Sequence, residues 1–297
     1  MDLIFGIGTW AIILGMLAIY RVRVALKGRS QSARADREGG SIILSKFLVE
    51  YGLWMMTPVA RFLVRAGVTP DGVTWFSLVP GIGAGIALAY GWFGLATFLG
   101  TIAAFSDSVD GFVARLTGLG SEAGETLDAI IDRYVESAFF AGLLVHYRDS
   151  MPMVALTATA LIGAFMVSYT SAKAEAQQVS PPRGLMRRSE RATYLLVGAG
   201  LVPFTRAFFA DSSPLLYREA TMIIVIVAIA IIANLSSLMR VTSIRASLRA
   251  LESPSNVPHS SAASAAVPNV ADTSSAVSGV GREAMSSGAL VTSEGSP

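Results

Sequence analysis

At 297 residues, with 53% hydrophobic and 15% charged side chains, the chain carries more apolar surface than an ordinary soluble domain needs for its core. A mean hydropathy of +0.56 and a net charge of only +2 place it among membrane proteins and give no sign of a nucleic-acid partner. Cysteine is absent, which excludes disulfides, thiolate metal ligands and cysteine nucleophiles.

Weakly charged runs recur at 3–20, 73–90, 92–106, 124–146, 152–172, 192–210 and 220–239. Most approach the roughly 20 residues that cross about 30 Å of hydrocarbon. They predict an all-α fold: a polytopic membrane helix bundle of six core transmembrane helices, with an extra N-terminal transmembrane helix and an interfacial helix. The first run, "LIFGIGTWAIILGMLAIY", is followed and not preceded by basic residues and lacks a clear small-residue cleavage site, so it reads as an uncleaved anchor. Residues 1–39 then form this anchor and a basic linker. Within 40–67, the apolar residues of "ILSKFLVEYGLWMMTPVARFLVR" fall near helical spacing. They predict an amphipathic helix bent near Pro58, either lying in the membrane interface or packed on protein. Residues 68–250 form the membrane domain. The short run at 92–106 spans only if its helix continues to about Arg115. From 251 to 297 the chain is rich in Ser, Ala, Pro and Gly without periodicity and reads as a disordered tail. If the spans alternate, 19 of the 23 lysines and arginines fall on one side, which the positive-inside rule assigns to the cytoplasm.

The stretch "SDSVDGFVARLTGLGSEAGETLDAIIDRYVES", residues 106–137, sets Asp107, Asp110, Asp128 and Asp132 among apolar neighbours. Spacings of three and four put each pair on one face of its own helix. Gly118 and Gly120 interrupt the segment between them and let the helices turn back. Four carboxylates at one point repel, and ionisable groups at membrane depth are costly unless paired or hydrated. Divalent cations resolve the conflict, and an oxygen-only donor set favours Mg²⁺, Mn²⁺ or Ca²⁺ over zinc. Gly111 and Ala114 leave room for a ligand beside the backbone, and Arg115 can meet a phosphate. Small residues in a membrane helix also serve close helix packing, and a lone Asp-x-x-Asp-Gly also suits a solvated helix end; neither accounts for the whole set.

The whole set, Asp107-x-x-Asp110-Gly111-x-x-Ala114-Arg115 followed by Gly124, Asp128 and Asp132, resembles the signature of the CDP-alcohol phosphotransferases. Eight fixed positions match by chance on the order of 10⁻¹⁰ per starting position. The resemblance covers roughly residues 66 to 240. It implies that Asp107, Asp110, Asp128 and Asp132 bind metal, Mg²⁺ or Mn²⁺, and that Asp132 is also the general base. It further implies that Gly111, Ala114, Arg115 and Ser121 line the CDP-linked donor. "VTPDGVT" at 68–74 resembles the family's Thr-Pro-Asn-x-x-Thr approach to its first core span. That likeness adds Thr74 and Asp71 to the donor residues, with aspartate where asparagine is usual.

By the same resemblance, an acceptor hydroxyl attacks the donor's β-phosphorus, CMP leaves, and a phosphodiester forms. A lipid donor, CDP-diacylglycerol, explains a site on membrane helices. Residues 168–191 offer Lys173, Arg183, Arg187, Arg188 and Arg191, of which Lys173, Arg187, Arg188 and Arg191 are the expected contacts of a phosphorylated acceptor, although positive-inside topology also accounts for basic residues there. The segment is similar to bacterial phosphatidylinositol-phosphate synthases at Tyr169, Ala172, Lys173, Ala174, Glu175, Glu190 and Arg191, and departs at Ser171, where arginine is usual. Inositol phosphate is the expected acceptor; glycerol-3-phosphate and other alcohols stay open. A homodimer, and a place in a bacterial inner membrane, are implied by the resemblance alone. From the residues by themselves, a cation channel or transporter also stays open, because membrane carboxylates mark ion paths.

Overall fold

The structure is a computed structural model, and it describes residues 1–27, 46–179 and 184–252. Most of the basic linker, Arg183 and the tail beyond residue 252 lie outside the described residues. Within them the chain is helical, without strands: α1 Asp2–Lys27, α2 Lys46–Arg65, α3 Pro70–Ala89, α4 Phe93–Thr117, α5 Glu122–His146, α6 Met151–Ala176, α7 Arg188–Phe208, the single turn α8 Leu215–Arg218, and α9 Ala220–Glu252. Among the described residues, four helices, α1, α3, α6 and α9, are long and apolar enough to cross a membrane by length and composition. Bulky apolar side chains such as Ile4, Val79 and Ile224 stay about two-thirds exposed, as expected where the solvent is lipid. This is an integral membrane protein.

Local sequence explains where the helices begin and end. Thr69 caps α3 by accepting from Gly72 N at 3.2 Å, with Pro70 preset at the first helical position. Ser121 caps α5 by accepting from Gly124 N at 3.0 Å, and Glu122 and Glu125 complement the dipole of its first turn. Helix α4 does run on past the aspartates, to Thr117. It stops at Gly118, whose φ of +68° is a left-handed cap that suits glycine. Helix α2 continues through Pro58 to Arg65, and α9 continues to Glu252, past the boundary expected at 250.

Helix α3 is the element that places the two aspartate helices. It packs along both α4 and α5, which touch each other little. The α3–α5 seam is tight because both sides are small: a Cβ on Gly142 would stand 2.1 Å from Gly85 O, and one on Gly85 would stand 2.2 Å from Ala138 O. Helix α1 lies beside α4 and α7, and its Asp2 carboxylate accepts from Gly94 N at 2.6 Å and Leu95 N at 3.2 Å, capping the start of α4. Helix α9 closes the bundle against α6 and α7.

The larger apolar core, around Leu88, Phe140, Leu143, Leu195 and Ile226, joins α3, α4, α5, α6, α7 and α9. A smaller one, Ala60, Val73, Val109 and Val113, ties α2 to α3 and α4 near the aspartates. At the opposite end, buried Glu219 accepts from Arg206 and meets His146 Nε2 at 3.1 Å, while Arg206 also donates to Gly91 O at 2.7 Å. Burial pushes the Glu219 carboxyl up, but the bonds from His146 and Arg206 outweigh it and hold the group below its ordinary value.

Candidate active site

Helix α4 supplies Asp107 and Asp110 from its last three turns, and α5 supplies Asp128 and Asp132 from its first three. Asp107, Asp128 and Asp132 bring one carboxylate oxygen each within 4.8 Å of the others. Asp110 stands beside them with its Oδ2 accepting from Thr74 Oγ1 at 2.6 Å and its Oδ1 accepting from Gly111 N. Thr74, on the second turn of α3, is thus the link between the helix that spaces the site and the carboxylates themselves.

These carboxylates form a wall between two cavities. On one side is an open cleft of about 490 Å³ lined by Asp110 and Asp128 together with Asp71, Thr74, Gly111, Ala114, Arg115 and Ser121. All six residues expected at the donor therefore surround one space. Gly124 borders it where a Cβ would crowd Asp71 Oδ1 and Ser121 Oγ at 3.3 Å. On the other side is a smaller cavity of about 90 Å³, apolar toward Gly81, Ala84 and Phe139, where Asp107, Asp132, Glu136 and Arg188 supply the charge.

The basic residues expected at the acceptor divide into three settings. Arg188, on the first turn of α7, donates to both oxygens of Asp107 at 2.9 and 3.2 Å and is in contact with Asp132. Arg191, one turn on, is fully buried and pairs in a fork with Glu136 at 2.9 and 3.2 Å. Lys173 and Arg187 are exposed and line neither cavity; the Arg187 backbone N–H is capped by Glu190 at 3.0 Å.

Sequence reasoning missed two groups here. Glu136 follows Asp132 by one helical turn, a spacing that signals a shared face, and it also meets Arg133 at 3.5 Å. Arg240, the arginine that ends the apolar run of α9, donates to Val167 O at 3.2 Å and to Ser171 Oγ. Arg191 Nη1 and Arg240 Nε are buried without a hydrogen-bond partner among the described residues.

Whether the carboxylates suit a divalent cation is decided by their own chemistry. All donors are hard oxygens, three converge within ion-sharing distance, and Asp128 Oδ1 is buried without a hydrogen-bond partner among the described residues. An unsatisfied buried carboxylate oxygen is costly unless a cation completes it. The residues fit a divalent metal.

The chain is similar to known proteins in sequence and in fold. Residues 67–238 match the sequence profile of the CDP-alcohol phosphatidyltransferase family. A phosphatidylinositol phosphate synthase of Cutibacterium acnes is 34% identical over 156 residues, spanning 51% of this chain and 75% of that protein. One of Mycobacterium tuberculosis is 38% identical over 157 residues, spanning 50% and 70%. The crystal structure of the Mycobacterium tuberculosis phosphatidylinositol phosphate synthase with CDP-DAG bound superposes with a TM-score of 0.56 at 27% identity, covering 64% of this chain and 92% of that one. Its complex with manganese and citrate gives 0.57 at 28% identity, covering 64% and 88%.

Proposed function

Because the chain belongs to the CDP-alcohol phosphatidyltransferase family and is a transferase of phospholipid synthesis, we propose that it moves the phosphatidyl group of CDP-diacylglycerol onto inositol phosphate, releasing CMP. The observation that carries this reading is the carboxylate wall itself, with a donor-sized cleft on one side and a charged cavity on the other.

In this reading the donor's cytidine diphosphate occupies the cleft, where Gly111 and Ala114 let it approach α4. Arg115 and Ser121 meet its phosphates, and Asp71 and Thr74 complete the wall. Asp107, Asp110, Asp128 and Asp132 would hold Mg²⁺ or Mn²⁺, and the bound cation would supply charge neutralisation for the diphosphate and the CMP leaving group. Thr74 fixes the Asp110 carboxylate in its ligating orientation. The acceptor enters from the opposite side, where Asp132 lies on the cavity wall and takes the proton of the attacking hydroxyl. Arg188, which here balances Asp107 and Asp132, is one turn of α7 from Arg191, and the two guanidinium groups with Arg240 supply donors for an acceptor phosphate. Lys173 and Arg187 steer that anion from the surface. The protein works as a homodimer with the aspartates facing the cytoplasm.

The test is CMP release by purified protein given CDP-diacylglycerol and, in turn, inositol phosphate, glycerol-3-phosphate and free inositol. Turnover with inositol phosphate is expected. Turnover with glycerol-3-phosphate alone would move the reading to phosphatidylglycerophosphate synthesis. Ion flux through liposomes without CMP release from any alcohol would replace it with a channel.

A further inference from the structure

Beside the donor cleft, and across α4 from it, a second groove opens at the aspartate end of the bundle. It measures about 700 Å³ and is built largely by elements outside residues 67–238. Arg23 comes from α1, Arg61 from α2 and Arg115 from α4, while Trp54 and Phe112 give it aromatic walls.

Among the described residues that line it, three guanidinium groups face one carboxylate, Glu50, which is buried at 4% exposure and within 3.4 Å of Tyr20 Oη. Two of the three are held on aromatic faces: Arg23 lies 5.8 Å from the centre of the Trp54 ring, and Arg115 lies 5.0 Å from that of Phe112. Stacking occupies the flat face of the Arg23 guanidinium and leaves its N–H edge to donate, which suits the tetrahedral oxygens of a phosphate. Among the described residues, neither Arg23 nor Arg61 has a carboxylate partner.

Its surroundings are those of a lipid surface. Val22 and Leu26 on α1, and Phe62 on α2, are exposed at 59%, 79% and 68%, next to the arginines. Tyr20 and Trp54 meet between the helices with ring centres 5.4 Å apart and planes tilted by 38°, and such aromatic residues gather at the level where acyl chains give way to head groups. A free solute would gain little from the apolar rim, whereas a phospholipid satisfies the arginines and the rim together.

We infer that this groove binds the phosphate head group of an anionic phospholipid, a molecule distinct from the donor in the neighbouring cleft. The extra N-terminal helix completes this site by bringing Arg23 to Arg61, which gives it a role beyond anchoring. Arg115 lines both spaces, so the bound lipid biases the orientation of a donor-cleft residue and couples donor affinity to the anionic lipid content of the membrane.

The test needs no turnover and therefore stands apart from the assignment of the acceptor. The delipidated full chain is mixed in detergent with phosphatidylglycerol, phosphatidylcholine or inorganic phosphate, and retained molecules are counted by native mass spectrometry. One phosphatidylglycerol should be held in preference to phosphatidylcholine, and it should stay when CDP-diacylglycerol and Mn²⁺ are added. Arg23→Gln with Arg61→Gln should weaken it by roughly tenfold to thirtyfold, since each basic side chain near an anionic lipid contributes about 1 kcal/mol. Equal retention of phosphatidylcholine, binding of inorganic phosphate without phosphatidylglycerol, or displacement by the donor lipid would overturn the inference. As a readout that leaves the arginines intact, brominated phosphatidylglycerol should quench the fluorescence contributed by Trp54, measured against Trp54→Phe. Equal quenching by brominated phosphatidylcholine would count against the site.

Discussion

Asp128 and Asp132 are one helical turn apart on α5, yet they line different cavities, Asp128 the donor cleft and Asp132 the space that also holds Arg188. That division gives the two residues separable phenotypes. Asp132→Asn keeps an oxygen for a cation but cannot accept a proton, so single-turnover chemistry should fall by roughly 10² to 10⁴ while CDP-diacylglycerol binding changes little. Asp128→Asn should lose binding and rate together, because its buried Oδ1 has no other partner among the described residues. Near-normal single-turnover chemistry in Asp132→Asn would remove it as the base. The spacing Asp-x-x-x-Asp puts both carboxylates on one face, but one face of a helix can border two cavities. Glu136 shows the same limit from the other direction: its position was readable from the sequence, but its partner Arg191 sits 55 residues away.

At the scale of elements, the site depends on a seam that contains none of its charged residues. Helices α4 and α5 touch little, and their separation is set by α3, which packs against α5 through Gly81, Gly85 and Gly142. Gly142→Ala places a methyl 2.1 Å from Gly85 O and 2.9 Å from Leu88 Cβ, and neither can yield without moving a helix. The expected result is a destabilisation of about 1–3 kcal/mol from overpacking, with weaker Mn²⁺ binding in the folded fraction because the aspartate pairs are spread. Gly8→Ala on α1, where an added Cβ meets nothing within 4 Å, is the matched control and should change neither. Equal stability of the two variants by thermal unfolding in detergent would show that the seam does not set the spacing. The glycines are plain in the sequence, but small residues in a membrane helix do not say which partner helix they admit.

Across the whole molecule, the chemistry gathers at one end and an ion cluster of Glu219, His146 and Arg206 fastens the other. The folded-state pKa of Glu219 is held below its ordinary 4.5, so its contribution to stability is present above that value and is lost as pH falls through the folded value. Glu219→Gln should cost about 1–3 kcal/mol by removing the buried carboxylate that the half-buried Arg206 pairs with, and should flatten the acid limb of stability against pH; an unchanged acid limb would show that another group sets it. The two ends should also label from opposite sides. The chain has no cysteine, so Glu122→Cys should react only from the cytoplasmic face and Asp149→Cys only from the other. Labelling of both from one side would overturn the orientation. The sequence by itself determined the helical membrane class, the continuation of α4 past the aspartates, its stop at Gly118 and the four carboxylates, because periodicity, caps and turn residues act within a few positions of the chain. Only the tertiary structure decided that Thr74 would steady Asp110, that Arg188 would lie on Asp107 and Asp132, that Arg191 would be buried on Glu136, and that α1 would bring Arg23 to Arg61. Those contacts join residues distant in sequence, and their partners are selected by which helix faces fit together at van der Waals distance, a property of the assembled bundle and not of any one segment.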